Sequence, residues 1–107
     1  MSDQSFISGY EDTPLTLFCL SAGGFPEQTV YWYWIGVEQT KINNCTTDTK
    51  HDHISNTYNV TNTCIIRPAR EQNNDTFRCQ SSYIDPPFLI EFTEVVLQLI
   101  CKYKVCC

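Results

Sequence analysis

Apolar and polar residues alternate in short runs along most of this chain. Leu15-x-Leu17-x-Cys19 and Asp75-x-Phe77-x-Cys79 both have period two. That period marks a strand with one face buried. Turn-forming residues interrupt the runs, so the pattern is all-β. The expected strands cover residues 5–7, an edge strand, then 15–20, 30–35, 63–66, 76–82 and a long one at 91–104. Pro68 stops the fourth. Gly23-Gly24-Phe25-Pro26 and Asp85-Pro86-Pro87 read as loops. Residues 41–62 are polar and carry no clear period. They are too many for a bare loop, so short edge strands are expected there.

Cys19 and Cys79 stand sixty positions apart, with Trp32 and Trp34 between them. A two-sheet sandwich uses this order: one inward cysteine on each sheet bridges the core, and an indole packs on the bridge. The chain therefore resembles the immunoglobulin superfamily. The fold class expected is an all-β, immunoglobulin-like two-sheet sandwich. It forms a single domain over residues 1–105, followed by a cysteine-containing end at 106–107.

Length and charge narrow the function. A chain of 107 residues makes about one sandwich domain. A formal charge of −5 disfavours nucleic acid as a partner. No apolar run is long enough to span a bilayer, so no membrane contact is expected. No secretory leader precedes Phe6, as in a mature or trimmed chain. No cofactor is implied. His51-Asp52-His53 lacks a third ligand nearby, so no metal site is expected and a solvated loop is the default. No serine or cysteine sits in a nucleophile-activating motif, so the chain does not read as an enzyme.

Seven cysteines without any C-x-x-C pair point to disulfides in an oxidising compartment, and hence to secretion. Three sequons agree, at Asn44, Asn59 and Asn74. Asp75 makes the last a poor acceptor. Closing the Cys19–Cys79 loop is worth about 4 kcal/mol in the chain-entropy model. Cys45 with Cys64 is a candidate second pair worth about 3 kcal/mol, although pairing does not follow from sequence. Cys101, Cys106 and Cys107 then remain. Three is odd, which leaves two readings: an intermolecular bond making a disulfide-linked homodimer, or a free thiol.

Alternation also sorts the faces. If Trp32 and Trp34 face the core, Tyr31 and Tyr33 stand on the outer face. If Phe77 and Cys79 point in, Arg78 and Gln80 point out. These strands share a sheet in this fold. Tyr31, Tyr33, Arg78 and Gln80 then make one patch of residue types common in binding hot spots. The bland alternative is that the tyrosines are ordinary strand formers. Phe25 and Phe88, in loops at one end, are read as plugs tucked into the core end rather than as exposed anchors.

A narrower resemblance runs from Leu15 to Leu99. Leu15-Thr16-Leu17-Phe18-Cys19 is followed by Phe25-Pro26, then by Tyr33-Trp34-Ile35-Gly36. Cys64 is expected to open its strand, and Asn74-Asp75-Thr76-Phe77-Arg78-Cys79 precedes Val95-Val96-Leu97-Gln98-Leu99. This order is similar to the secreted interleukin-18-binding proteins, cellular and poxviral. The third domain of interleukin-1 receptors is similar more distantly, through Trp32-x-Trp34-x-Gly36.

The resemblance implies a decoy that sequesters interleukin-18 on the outer face of one sheet and covers its receptor-binding surface. Tyr33 would be the main anchor and Trp34 the core indole. Tyr31 would assist, and Arg78, Gln80 and Ile42 would be secondary contacts. Apart from the resemblance, the acidic balance of the chain makes Glu38 a further candidate, to pair with a basic group on the partner. The chain departs from the family at Thr29, where a second aromatic anchor is usual, and at Thr40, Lys41 and Ile42, where a phenylalanine is usual. Phe77 replaces the tyrosine common two positions before the second cysteine, so that corner hydroxyl bond is absent. The alternative reading is an adhesion or receptor domain excised from a membrane protein.

Overall fold

The computed structural model describes residues 5–83 and 88–100. Among them eight strands form two sheets packed face to face, an immunoglobulin-like sandwich. The strands are β1 (Ser5–Gly9), β2 (Leu15–Gly24), β3 (Thr29–Ile35), β4 (Gln39–Lys41), β5 (Cys45–Asp52), β6 (Thr57–Ile66), β7 (Thr76–Tyr83) and β8 (Phe88–Leu99). One sheet has the order β1-β8-β7-β3-β4 and the other β2-β6-β5. β1 runs parallel to β8, and every other pairing is antiparallel.

The inward residues of both sheets make the core: Leu17, Val30, Trp32, Val60, Phe77 and Leu97. Cys19 on β2 is bonded to Cys79 on β7, which ties one sheet to the other. Cys45 is bonded to Cys64, its direct partner across the β5–β6 ladder. Cys101, Cys106 and Cys107 lie outside the described residues, as does the expected loop at Asp85-Pro86-Pro87.

Three expectations are corrected here. First, the unpatterned middle of the chain is a long hairpin. β5 has both faces mostly exposed, so its sequence carries no alternation to read. The turn after β5 is held by Asp52, whose Oδ1 accepts the Ile54 and Ser55 amides at 2.9 and 3.4 Å. Those bonds pull the Asp52 carboxyl below its ordinary value. Cys64 consequently sits well inside β6 rather than opening it.

Second, Gly23-Gly24 belongs to β2. A bulge between Ser21 and Gly24 absorbs it, with Gly23 at φ 79°. Third, Phe25 and Phe88 are exposed rather than tucked away. Phe25 precedes a cis peptide bond to Pro26, and its amide donates to the Tyr83 hydroxyl at 3.0 Å. The plug role belongs to Gln28 instead. Its buried Nε2 shares two N–H groups among the Ser21 carbonyl, the Ser21 hydroxyl and the Tyr58 carbonyl, at 3.0–3.2 Å. A Cβ on Gly24 would collide with this amide.

Gln28→Ala would delete a buried side chain together with its hydrogen bonds to Ser21 and Tyr58. It is expected to cost about 1–3 kcal/mol, measured by urea unfolding. A loss within error of zero would show that water replaces the amide without penalty.

Candidate binding face

The outer face of the five-stranded sheet is built by register. Tyr31 pairs with Gln80, which pairs with Phe92. One step along, Lys41 pairs with Tyr33, Tyr33 with Arg78, and Arg78 with Glu94. Two adjacent rows therefore run across β4, β3, β7 and β8, all pointing away from the core. The buried inward neighbours Val30, Trp32, Phe77 and Cys79 force this orientation, because side chains alternate along a strand.

Cations cap the aromatic rings. Lys41 Nζ lies 3.6 Å from the Tyr31 ring centroid, and the Arg78 guanidinium carbon 4.5 Å from that of Phe92. Arg78 also donates through Nη2 and Nε to Glu94 Oε2, at 2.7 and 2.8 Å. Both partners of this pair are part-exposed, so its effect is to orient the guanidinium more than to stabilise the fold. Burial, with a smaller push from Tyr31, raises the Tyr33 phenol above its ordinary value. Tyr33 is therefore a neutral hydrogen-bonding group at physiological pH.

The face can hold a protein surface. It offers rigid aromatic bodies, polar tips and two cations against one carboxylate. An otherwise acidic chain thus carries a locally positive patch, suited to an acidic partner.

Tyr31, Tyr33, Arg78 and Gln80 lie together on this face. Ile42 does not. Lys41 faces outward with Tyr33, so the next residue turns inward, and Ile42 packs against the core. Glu38 is also elsewhere. It lies in the turn after β3, beside a cleft lined by Trp34, Gly36, Val37, Thr40 and Asp75. Pairing of Glu38 with a basic group would therefore take place beyond the tyrosine face.

The core indole is Trp32, not Trp34. Trp32 pairs in register with Cys79 and is only 4% exposed. Trp34 sits half-buried at the sandwich end, where Nε1 donates to Asp75 Oδ2 at 2.9 Å. A Cβ on Gly36 would lie 3.0 Å from this indole, which accounts for glycine there.

Sequence reasoning missed Phe92, Glu94 and Lys41. The alternation Phe92-x-Glu94-x-Val96 was available as a signal. Its register against β7 was not, because a shift between Ser81 and Ser82 intervenes.

Among the described residues no group of three or more histidine, cysteine or acidic side chains could hold a metal. His51 is engaged otherwise: Nε2 lies 2.9 Å from Asn56 Oδ1, and the ring stacks obliquely on Tyr58 at 4.7 Å. Among the described residues no helix is long and apolar enough to cross a membrane.

Residues 3–88 match the family model of the CD80-like C2-set immunoglobulin domain. No curated protein matches the chain. Many solved structures share its fold, two of them over about nine-tenths of this chain. The first is Rst D1-D2, at TM-score 0.76 and 18% identity, covering 90% of this chain and 45% of that one. The second is the full ectodomain (Ig1-Ig3) of mouse nectin-like molecule 4, at TM-score 0.69 and 17% identity, covering 91% and 31%. The chain thus spans less than half the length of either.

Proposed function

Starting from a chain that belongs to the CD80-like C2-set immunoglobulin domains, a family of typically non-enzymatic binding modules, we propose that it is a secreted protein-binding domain. Its ligand docks on the outer face of the five-stranded sheet. One observation supports this most: Tyr31, Tyr33 and Phe92 share that face under the Lys41 and Arg78 caps. Large aromatics and arginine are the residues that dominate binding energy in such patches. The finer reading, that the ligand is interleukin-18 held as by a decoy, rests on the sequence resemblance. An acidic epitope on the cytokine would meet Lys41 and Arg78.

A titration against interleukin-18, with interleukin-1β as control, tests this. Tyr33→Ala is expected to weaken binding at least about tenfold, since truncating an anchor costs ~2 kcal/mol or more. Thermal unfolding checks that the variant still folds. Unchanged affinity would remove Tyr33 from the site. The second reading is an adhesion or receptor domain, and the fold shared with a nectin-like ectodomain favours it. It expects no cytokine binding and homophilic contact through the same face.

A further inference from the structure

The outer face of the three-stranded sheet carries an apolar stripe that the binding face does not use. β2 is an edge strand, and its outward residues include Phe18 at 63% and Leu20 at 56% exposure. Ile65, paired with Thr16, adds 46%. A contiguous stripe like this on an edge strand invites self-association.

Two of the three sequons stand at its two ends. Asn44 is exposed, and its carbonyl accepts the Ile65 amide at 2.9 Å. Asn59 lies on β6 in phase with Thr61, Thr63 and Ile65, since the intervening Val60, Asn62 and Cys64 are buried. Asn59 borders a shallow groove floored by Leu20 and Ala22 and rimmed by Asp48 and Lys50. Asn74 lies away from the stripe, where its backbone N–H donates to the Leu97 carbonyl.

We propose that Asn59 is N-glycosylated and that its sugar lies over the Phe18–Leu20 stripe. The Asn59 side chain accepts the Gly23 amide through Oδ1 at 3.1 Å. That bond leaves Nδ2, the atom that carries the sugar, aimed away from the acceptor interaction. It survives glycosylation, because the linked amide keeps its carbonyl oxygen. In the transfer the Nδ2–C1 bond forms while the C1–O bond of a lipid-linked oligosaccharide diphosphate breaks. The diphosphate leaves with the electron pair, and the amide nitrogen loses a proton. Asn59 to Thr63 spans about 14 Å along β6, within reach of the first sugars. The apolar ring faces of those sugars would cover Leu20 and Phe18.

The inference rests on the extracellular reading above, but not on the ligand. The test uses the full chain, secreted from a eukaryotic cell line behind a cleavable leader. Peptide mapping after enzymatic glycan release should show Asn59 converted to aspartate. Thr61→Ala should abolish that conversion, and Thr61→Ser should keep it. The unglycosylated variant should self-associate roughly tenfold more strongly by sedimentation. Adding Phe18→Thr and Leu20→Thr should reverse the change. An unmodified Asn59 beside an occupied Asn44 overturns the proposal. So does a Thr61→Ala protein that associates no more than its parent. A failed cytokine titration with Asn59 occupied counts against the ligand and leaves the glycan in place.

Discussion

Replacing Cys19 and Cys79 together by alanine is expected to lower the unfolding free energy by about 4 kcal/mol. The bond closes a sixty-residue separation and joins the two sheets. A domain of this size is stable by only about 5–15 kcal/mol, so the loss takes a large share. The pair Cys45 and Cys64 makes an internal standard. It closes nineteen residues within one sheet, and its removal should cost about 3 kcal/mol. Urea unfolding of the two double variants measures both. A larger loss at Cys45 and Cys64 would mean that the hairpin, not the inter-sheet bridge, limits stability.

Trp32→Ala should cost about 3–5 kcal/mol, the range for deleting a large buried aromatic. Trp34→Phe should cost only about 1 kcal/mol. It keeps most of a half-buried ring and gives up one hydrogen bond to Asp75. The two indoles also differ in environment. Trp32→Phe should leave a red-shifted emission from the more solvated Trp34, and Trp34→Phe the reverse. Equal stability losses, or emission in the opposite order, would return the core role to Trp34.

This contrast bears on the ligand as well. The resemblance makes Tyr33 the main anchor as the residue just before Trp34, taken there as the core indole. With Trp32 in the core, the residue just before the core indole is Tyr31, and Tyr33 is its neighbour one step along the same face. Both tyrosines therefore belong in the binding test, with Tyr31 read together with its Lys41 cap.

Much of the frame was legible in residue order. Leu15, Leu17 and Cys19 alternate with Thr16, Phe18 and Leu20, and the first set turned out inward and the second outward. A strand with one buried face must write that face into its sequence, since every second residue meets the core. The same rule put Tyr31 with Tyr33 and Arg78 with Gln80, and family topology set the two strands side by side.

What tertiary structure decided was everything that depends on a neighbouring strand. Trp32 and Trp34 have the same phase, so alternation cannot choose between them; the position of each along β3 against Cys79 does. Phe92 joined the face through the register of β7 with β8, which a bulge shifts. Ile42 left it because Lys41 pairs outward with Tyr33. β5 was invisible because neither of its faces is buried, and a strand solvated on both sides has no reason to alternate. A chain's own period thus determines which side of a strand faces inward. Only pairing between strands determines which residues from distant segments meet on one surface.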